Sequence, residues 1–457
     1  MTTDLYTALE QAIPAVRQEF ETLLRDLVQI PTVSMDPIHA ADIQRGARQA
    51  LQVLQACGAS AELVETPGNP VVFGQFLVDP SYPTLAIYNH LDVQPANEPQ
   101  WQQDPFVFHT EGDRYLGRGT TDDKGPALTA LLAARFAVQH GLPLNIQFLW
   151  ELEEEIGSPN FAHFLAQKRT ALTCDSVLVS DTIWLSRSTP AVPYGLRGMM
   201  AMQLRLETGS KDCHSGLTGG AARNPVGELS ALIAACYDAR TGHVHIPGFY
   251  DAVRPVSAAE LDSFLASGFR VEDFMAAHGL LSLRTTDVRR VVQAIWSEPT
   301  FEVHGISGGY HGPGVKTIIP HAAEAKISMR LVPDQDPEIL FPLVQQFLRQ
   351  QHPEVEILPE GFLRPYLGDF SGFYGDAVRQ AVRFGFGKTP SFIREGGSIG
   401  AVVTMDQMLQ VPIVFLGLSL PEHGYHAPNE NFDWGQASGG MRAFTKYFDT
   451  LAAGRAA

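Results

Sequence analysis

The sequence predicts an α/β protein with a largely parallel sheet, interrupted by an inserted α+β domain. Three observations point there. Strand-like and helix-like periodicities alternate from residue 60 to residue 181, as parallel βαβ units require. Several strands end in His, Asp or Glu, which puts chemistry at the carboxyl edge of the sheet, where open α/β sheets bind ligands. From about 194 to 363 the strands instead alternate apolar and polar residues, the mark of an antiparallel sheet with one wet face. The α/β signature returns near Pro365.

In chain order, Leu5, Leu9, Ile13, Val16, Phe20, Leu23, Leu24 and Leu27 recur at helical spacing over 4–29, with Pro14 expected to break the helix. A second helix is predicted from Ala40 to Cys57, stopped by Gly58. Short strand-like runs at 61–65 and 71–77 precede a stronger apolar strand, 84–89, which ends at His90-Leu91-Asp92. Next comes Gly117-Arg118-Gly119-Thr120-Thr121-Asp122-Asp123-Lys124-Gly125. Its three glycines call for positive φ or close approach, and its Thr and Asp residues suit an N-cap. The helix that follows, 126–140, is apolar almost all round and therefore predicted to be buried.

Strand 144–150 ends at Glu151, just before Glu153-Glu154-Glu155. A helix at 158–169 leads to strand 176–180, which ends at Asp181. In the insert, 200–207, 301–304 and 323–330 read as strands, and 224–239 and 337–350 as helices. Beyond 365 come a helix at 371–385, the loop Arg394-Glu395-Gly396-Gly397-Ser398, a strand at 412–417 and a closing helix at 436–452. The expected division is a catalytic domain of 1–193 and 364–457, with 194–363 inserted.

A net charge of −17 argues against nucleic acid and anionic membranes as partners. Four cysteines without CxxC spacing disfavour a disulfide framework and a structural zinc cluster. The first residues lack a basic region followed by an apolar core, and no apolar run reaches the ~20 residues of a membrane span. A soluble cytoplasmic protein is expected.

The strand-end residues suit a two-metal hydrolytic site. Such a site needs imidazole and carboxylate ligands, a carboxylate bridge between ions roughly 3.5–4 Å apart, and a free carboxylate as general base. The chain supplies His90 and Asp181 for one ion, Glu155 and His426 for the other, Asp122 between them and Glu154 as base. Asp92, two residues beyond His90 on an extended segment, is placed to orient the imidazole. Taken singly, each has a plainer reading: a capped turn for Asp122, a satisfied strand-end histidine for His90, a solvated acidic run for Glu153 to Glu155. Their joint order favours the metal site.

That order resembles the co-catalytic metallopeptidases, the family of carnosinases, cytosolic non-specific dipeptidases, glutamate carboxypeptidases, aminoacylases and succinyl-diaminopimelate desuccinylases. The motifs are Asn89-His90-Leu91-Asp92, the 117–125 loop, Glu154-Glu155-Ile156-Gly157-Ser158, Ser180-Asp181, Arg394 to Ser398, and His426-Ala427-Pro428-Asn429-Glu430. The resemblance implies a mixed eight-stranded α/β/α zinc-peptidase catalytic domain, an inserted α+β lid that mediates dimerisation, zinc or manganese as the ions, and a cis peptide after Asp122. Asp181, Tyr194-Gly195-Leu196-Arg197-Gly198 and Lys211-Asp212-Cys213-His214-Ser215-Gly216 resemble most the dipeptidase and carnosinase branch. By the same likeness His214 reaches a partner subunit's site to stabilise an oxyanion. Thr317, Arg330 and Ser398 would bind substrate, Arg330 its terminal carboxylate. A core histidine or a Cys213–His214 metal pair stays open for His214, and a structural strand arginine for Arg330. Gly372 departs from the carnosinase pattern after 369–371, which argues against a carnosine-type preference. The expected function is a metallo-dipeptidase acting on small peptides. The alternatives are an N-acyl or N-carbamoyl amino acid amidohydrolase and a silent binding protein.

Overall fold

The computed structural model describes residues 2–454. The first helix, Thr2–Val28, runs through Pro14 without the predicted break. Pro14 is exposed, so the lost hydrogen bond falls on the wet side, where water replaces it. Leu9, Phe20, Leu24 and Leu27 meanwhile anchor the helix in the core.

The principal sheet has six strands, in the order Ser60–Val64, Val71–Phe76, Asn145–Glu151, Thr84–His90, Ser176–Val179, Ile413–Phe415. The last four are mutually parallel. Val71–Phe76 runs antiparallel to both its neighbours, so the sheet is mixed. Asn145–Glu151 is buried along its whole length, which is why it reads as an apolar run instead of alternating. Helix Gly125–Gln139 is buried on nearly every face and packs against the closing helix, Trp434–Gly454. The eight-stranded sheet expected from the resemblance is divided. Ala191–Leu196 lies beside Ile413–Phe415 but bonds instead with Ser391–Glu395 and Tyr366–Leu367 in a three-stranded sheet.

A second, four-stranded antiparallel sheet has the order Glu302–Gly308, Ala322–Leu331, Gly198–Glu207, Glu356–Leu363. Burial alternates along Gly198–Glu207, as its sequence pattern predicts. Met200, Met202, Leu204 and Leu206 pack with Leu232 of helix Pro225–Cys236 and Val344 of helix Pro337–Gln351 in a core of their own.

Three helices in the same stretch were not anticipated: Ala258–Leu265, Val271–Ala277 and Val288–Trp296. Leu261, Phe264, Val292 and Trp296 join the larger core, not the smaller one. Residues 194–363 therefore contribute to both cores. Helices of two turns carry too few periodic positions to stand out in sequence.

Candidate active site

The parallel strands deliver their terminal residues to one edge. His90 ends Thr84–His90, Glu151 ends the neighbouring Asn145–Glu151, and Asp181 lies just beyond Ser176–Val179. The turn before helix Gly125–Gln139 brings Asp122 to the same place. Gly119 holds φ +88° there, and the Asp122–Asp123 peptide is cis, as the resemblance implied. A Cβ on Gly125 would lie 2.2 Å from the Thr120 carbonyl oxygen, so the tight entry into the helix requires glycine.

Asp122 receives one imidazole on each carboxylate oxygen. His90 Nε2 is 2.9 Å from Oδ1, and His426 Nε2 is 2.9 Å from Oδ2. Asp181 Oδ2 is 3.7 Å from His90 Nε2, and Glu155 Oε2 is 3.3 Å from His426 Nε2. The donor atoms form two clusters, His90–Asp122–Asp181 and Asp122–Glu155–His426, each within 4.8 Å, joined through Asp122. His426 takes φ +54° in the loop that carries it to the cluster.

The surroundings fix these groups. His90 Nδ1 donates to the Asp92 main-chain oxygen at 3.0 Å, closer than the Asp92 carboxylate at 3.4 Å. That carboxylate instead accepts the N–H groups of Glu154 and Glu155 at 3.2 and 3.1 Å, one per oxygen. Glu153 turns away and ties down Asn69 and Asn160. Burial raises the Glu154 pKa well above the usual carboxylate range. His90 opposes the rise, and the charges of Asp181 and Glu155 add to it. Burial likewise pushes Asp181 up to about 6, against His90 and with Asp122. The cluster thus holds more buried negative charge than two imidazoles can neutralise.

The family profile described as "Peptidase family M20/M25/M40" matches residues 86–450. The chain belongs to this peptidase family. It is 32% identical to the Cys-Gly metallodipeptidase dug1 of Schizosaccharomyces pombe, with 97% of this chain and 98% of that one covered. It is 28% identical to the human Beta-Ala-His dipeptidase, with 97% and 92% covered. The solved structure of the dipeptidase Dug1p from Saccharomyces cerevisiae superposes with a TM-score of 0.88 at 29% identity, covering 99% of both chains. The protein is accordingly a metal-dependent hydrolase.

The remaining site candidates of this M20 family member fall into two groups apart from the ligand cluster. Arg330 Nη1 donates to Ser398 Oγ at 2.9 Å, and Ser398 Oγ donates to the Arg197 carbonyl, so the smaller sheet is tied to the glycine loop. His214 and Thr317 sit together: His214 pairs with Ile318, and Ser215 N–H donates to the Thr317 carbonyl at 3.0 Å. Both are exposed. The His214 ring accepts from the Gly216 N–H, and its carbonyl accepts from Thr218 Oγ1.

Four supporting residues had no role assigned from sequence. Glu430 accepts the N–H groups of Gly119, Thr121 and Asp122 at 3.0–3.1 Å and pairs with Arg118 at 2.9 Å. Tyr425 donates to Asp181. Gln94 donates to Glu155 at 2.6 Å. Glu395 lines a cavity of about 760 Å³ together with Tyr425. Glu430 and Glu395 lie inside quoted motifs, which was their only signal. Nothing in the sequence marks Gln94.

Proposed function

We propose that this chain is a metallo-dipeptidase that hydrolyses the amide bond of free dipeptides or short peptides, and that His90, Asp122, Glu155, Asp181 and His426 hold two divalent ions. The observation that carries the reading is the shared carboxylate: Asp122 faces one imidazole per oxygen, with a further carboxylate beside each. The donor set suits cations, because Glu155 Oε1 is a buried acceptor with no hydrogen-bond partner among the described residues. Nitrogen and oxygen donors of this kind favour zinc, with manganese the alternative. When bound, such ions would activate water and polarise the scissile carbonyl.

The chain's own residues do the rest. Glu154, in its ionised form, takes a proton from the attacking water and passes it to the leaving amine, and its burial makes that carboxylate a stronger base. Asp92 sets the backbone of both Glu154 and Glu155. Arg330, oriented by Ser398, receives the substrate carboxylate. Asp181 and Glu395 receive the free α-amine, and Thr317 a substrate polar group. His214 donates to the oxyanion from a second subunit, so the working form is a homodimer through the lid, residues 194–363, set on a catalytic domain of 1–193 and 364–457. Four free cysteines suit a reducing cytoplasm. Among the described residues no helix is long and apolar enough to cross a membrane. The relatives' names, a Cys-Gly and a Beta-Ala-His dipeptidase, support this substrate class.

The test is a screen of free dipeptides against their N-acetylated forms and against N-carbamoyl amino acids, with zinc or manganese added. The expected result is two ions per chain and cleavage of free dipeptides, abolished by a chelator and restored by the metal. Turnover of N-acyl or N-carbamoyl amino acids with no cleavage of free dipeptides would overturn it.

A further inference from the structure

The cavity of about 760 Å³ beside Asp181 is larger than the backbone of a dipeptide requires. It falls in the range of about 300–1,000 Å³ typical of ligand sites. Its walls include Trp184, Phe269, Phe274, Ala277, Leu280 and Trp296. Most of these come from residues 258–296, the stretch that packs on the catalytic core. Phe269 stacks edge-on against Trp296 at 5.6 Å and lies 5.5 Å from Phe274, so the aromatic wall is built as a unit. Leu280 keeps 38% of its surface exposed, apolar area that no described residue covers.

The cavity is also lined by polar groups, Glu395, Arg197 and Tyr425 among them. Glu395 Oε2 is a buried acceptor with no partner among the described residues. Arg197 is fastened by Nε to the Gly396 carbonyl at 3.2 Å, next in the chain to Glu395. Tyr425 lines the cavity and donates to Asp181, which joins the cavity to the ligand cluster. Arg270 and Asp273 are exposed and face each other at 3.7 Å, so a charged side chain entering there finds no unmatched partner.

We propose that this cavity takes the N-terminal side chain of the substrate and selects large apolar ones, aromatic above all. The proposal rests on the dipeptidase reading. An α-amine held by Glu395 and Asp181 puts the attached α-carbon beside the cavity's polar groups. The side chain on that carbon then extends towards the aromatic wall. An aromatic ring buries 150–250 Å² of surface, whereas an alanine methyl leaves the wall wet.

The experiment measures kcat/KM of the metal-loaded enzyme on Phe-Gly, Ala-Gly and Gly-Phe. Phe-Gly is expected to exceed Ala-Gly by at least about tenfold, a discrimination apolar pockets readily reach, with no such gain for Gly-Phe. Phe274→Ala opens the wall and Ala277→Trp fills the space. Each should bring the Phe-Gly to Ala-Gly ratio down towards one, with circular dichroism and metal content unchanged. A merely structural role would lower both substrates together and leave the ratio alone. Cleavage of all three dipeptides without preference, or a ratio unmoved by both variants, overturns the proposal and leaves the dipeptidase reading standing. If no dipeptide is cleaved, the dipeptidase reading falls. The cavity is then judged by binding of L-phenylalaninamide against L-alaninamide. Tighter binding of the former that is lost in Phe274→Ala supports it, and equal binding overturns it.

Discussion

Glu154 and Glu155 are chemically identical neighbours, and their surroundings separate them. Glu155 carries its carboxylate to His426 and Gln94, within the cluster of metal-type donors. Glu154 carries a carboxyl that accepts no hydrogen bond from other described residues and whose pKa burial raises well above the ordinary range. The difference is geometric: Glu155 is one of the clustered donors, whereas Glu154 belongs to neither cluster and is free to exchange a proton. We therefore expect Glu154→Gln to keep both ions yet lose about 10²–10⁴ in kcat. Glu155→Ala should lose metal. Elemental analysis beside kcat checks both, and exchanged phenotypes would reverse the two roles.

The element that positions Asp122 is the turn from Gly117 to Gly125, and its anchor is 300 residues away in sequence. Glu430 is fully buried and gathers three backbone N–H groups of that turn together with the Arg118 guanidinium. Arg118 is itself 1% exposed and its other carboxylate neighbour, Glu98, stands 4.0 Å away, so removing Glu430 leaves a buried charge poorly compensated. Breaking such a pair typically costs 3–5 kcal/mol. Glu430→Ala should lower stability by about that amount in urea unfolding and reduce metal content, because Asp122 loses its backbone tether. Unchanged stability would mean that the turn holds its shape unaided. This dependence also marks how far the sequence could be read. His90, Asp122, Glu154 and Asp181 were legible because each follows a periodic strand or precedes a periodic helix, so local pattern placed it. Glu430, Tyr425 and Gln94 act through contacts made only after folding, and no local pattern carries them. Pro14 failed as a helix breaker for a related reason. Which face of the helix it occupies depends on tertiary packing, and there it is exposed.

At the scale of the molecule, the site candidates stand on elements that pack into two separate cores. Arg330 meets Ser398, but His214 stands on an exposed tip with no bond to the ligand cluster among the described residues. Its ring is already prepared. The Gly216 N–H donates to Nδ1 at 2.9 Å, which leaves the proton of the neutral imidazole on Nε2. The same tip exposes Leu217 at 85%, Val315 at 93% and Tyr310 at 44%. Exposed apolar side chains on the segments that carry and pair with His214 suit a surface that another copy covers. An oxyanion donor is worth roughly 3–4 kcal/mol in other hydrolases, about 10²–10³ in kcat. His214→Ala should therefore lower kcat by that factor with metal content unchanged. Mixing it with the inactive Glu154→Gln chain should restore part of the activity, because a mixed dimer holds one site with both residues intact. Subunit exchange is followed independently by differently tagged chains. If exchange is complete and activity stays absent, His214 serves its own subunit or none.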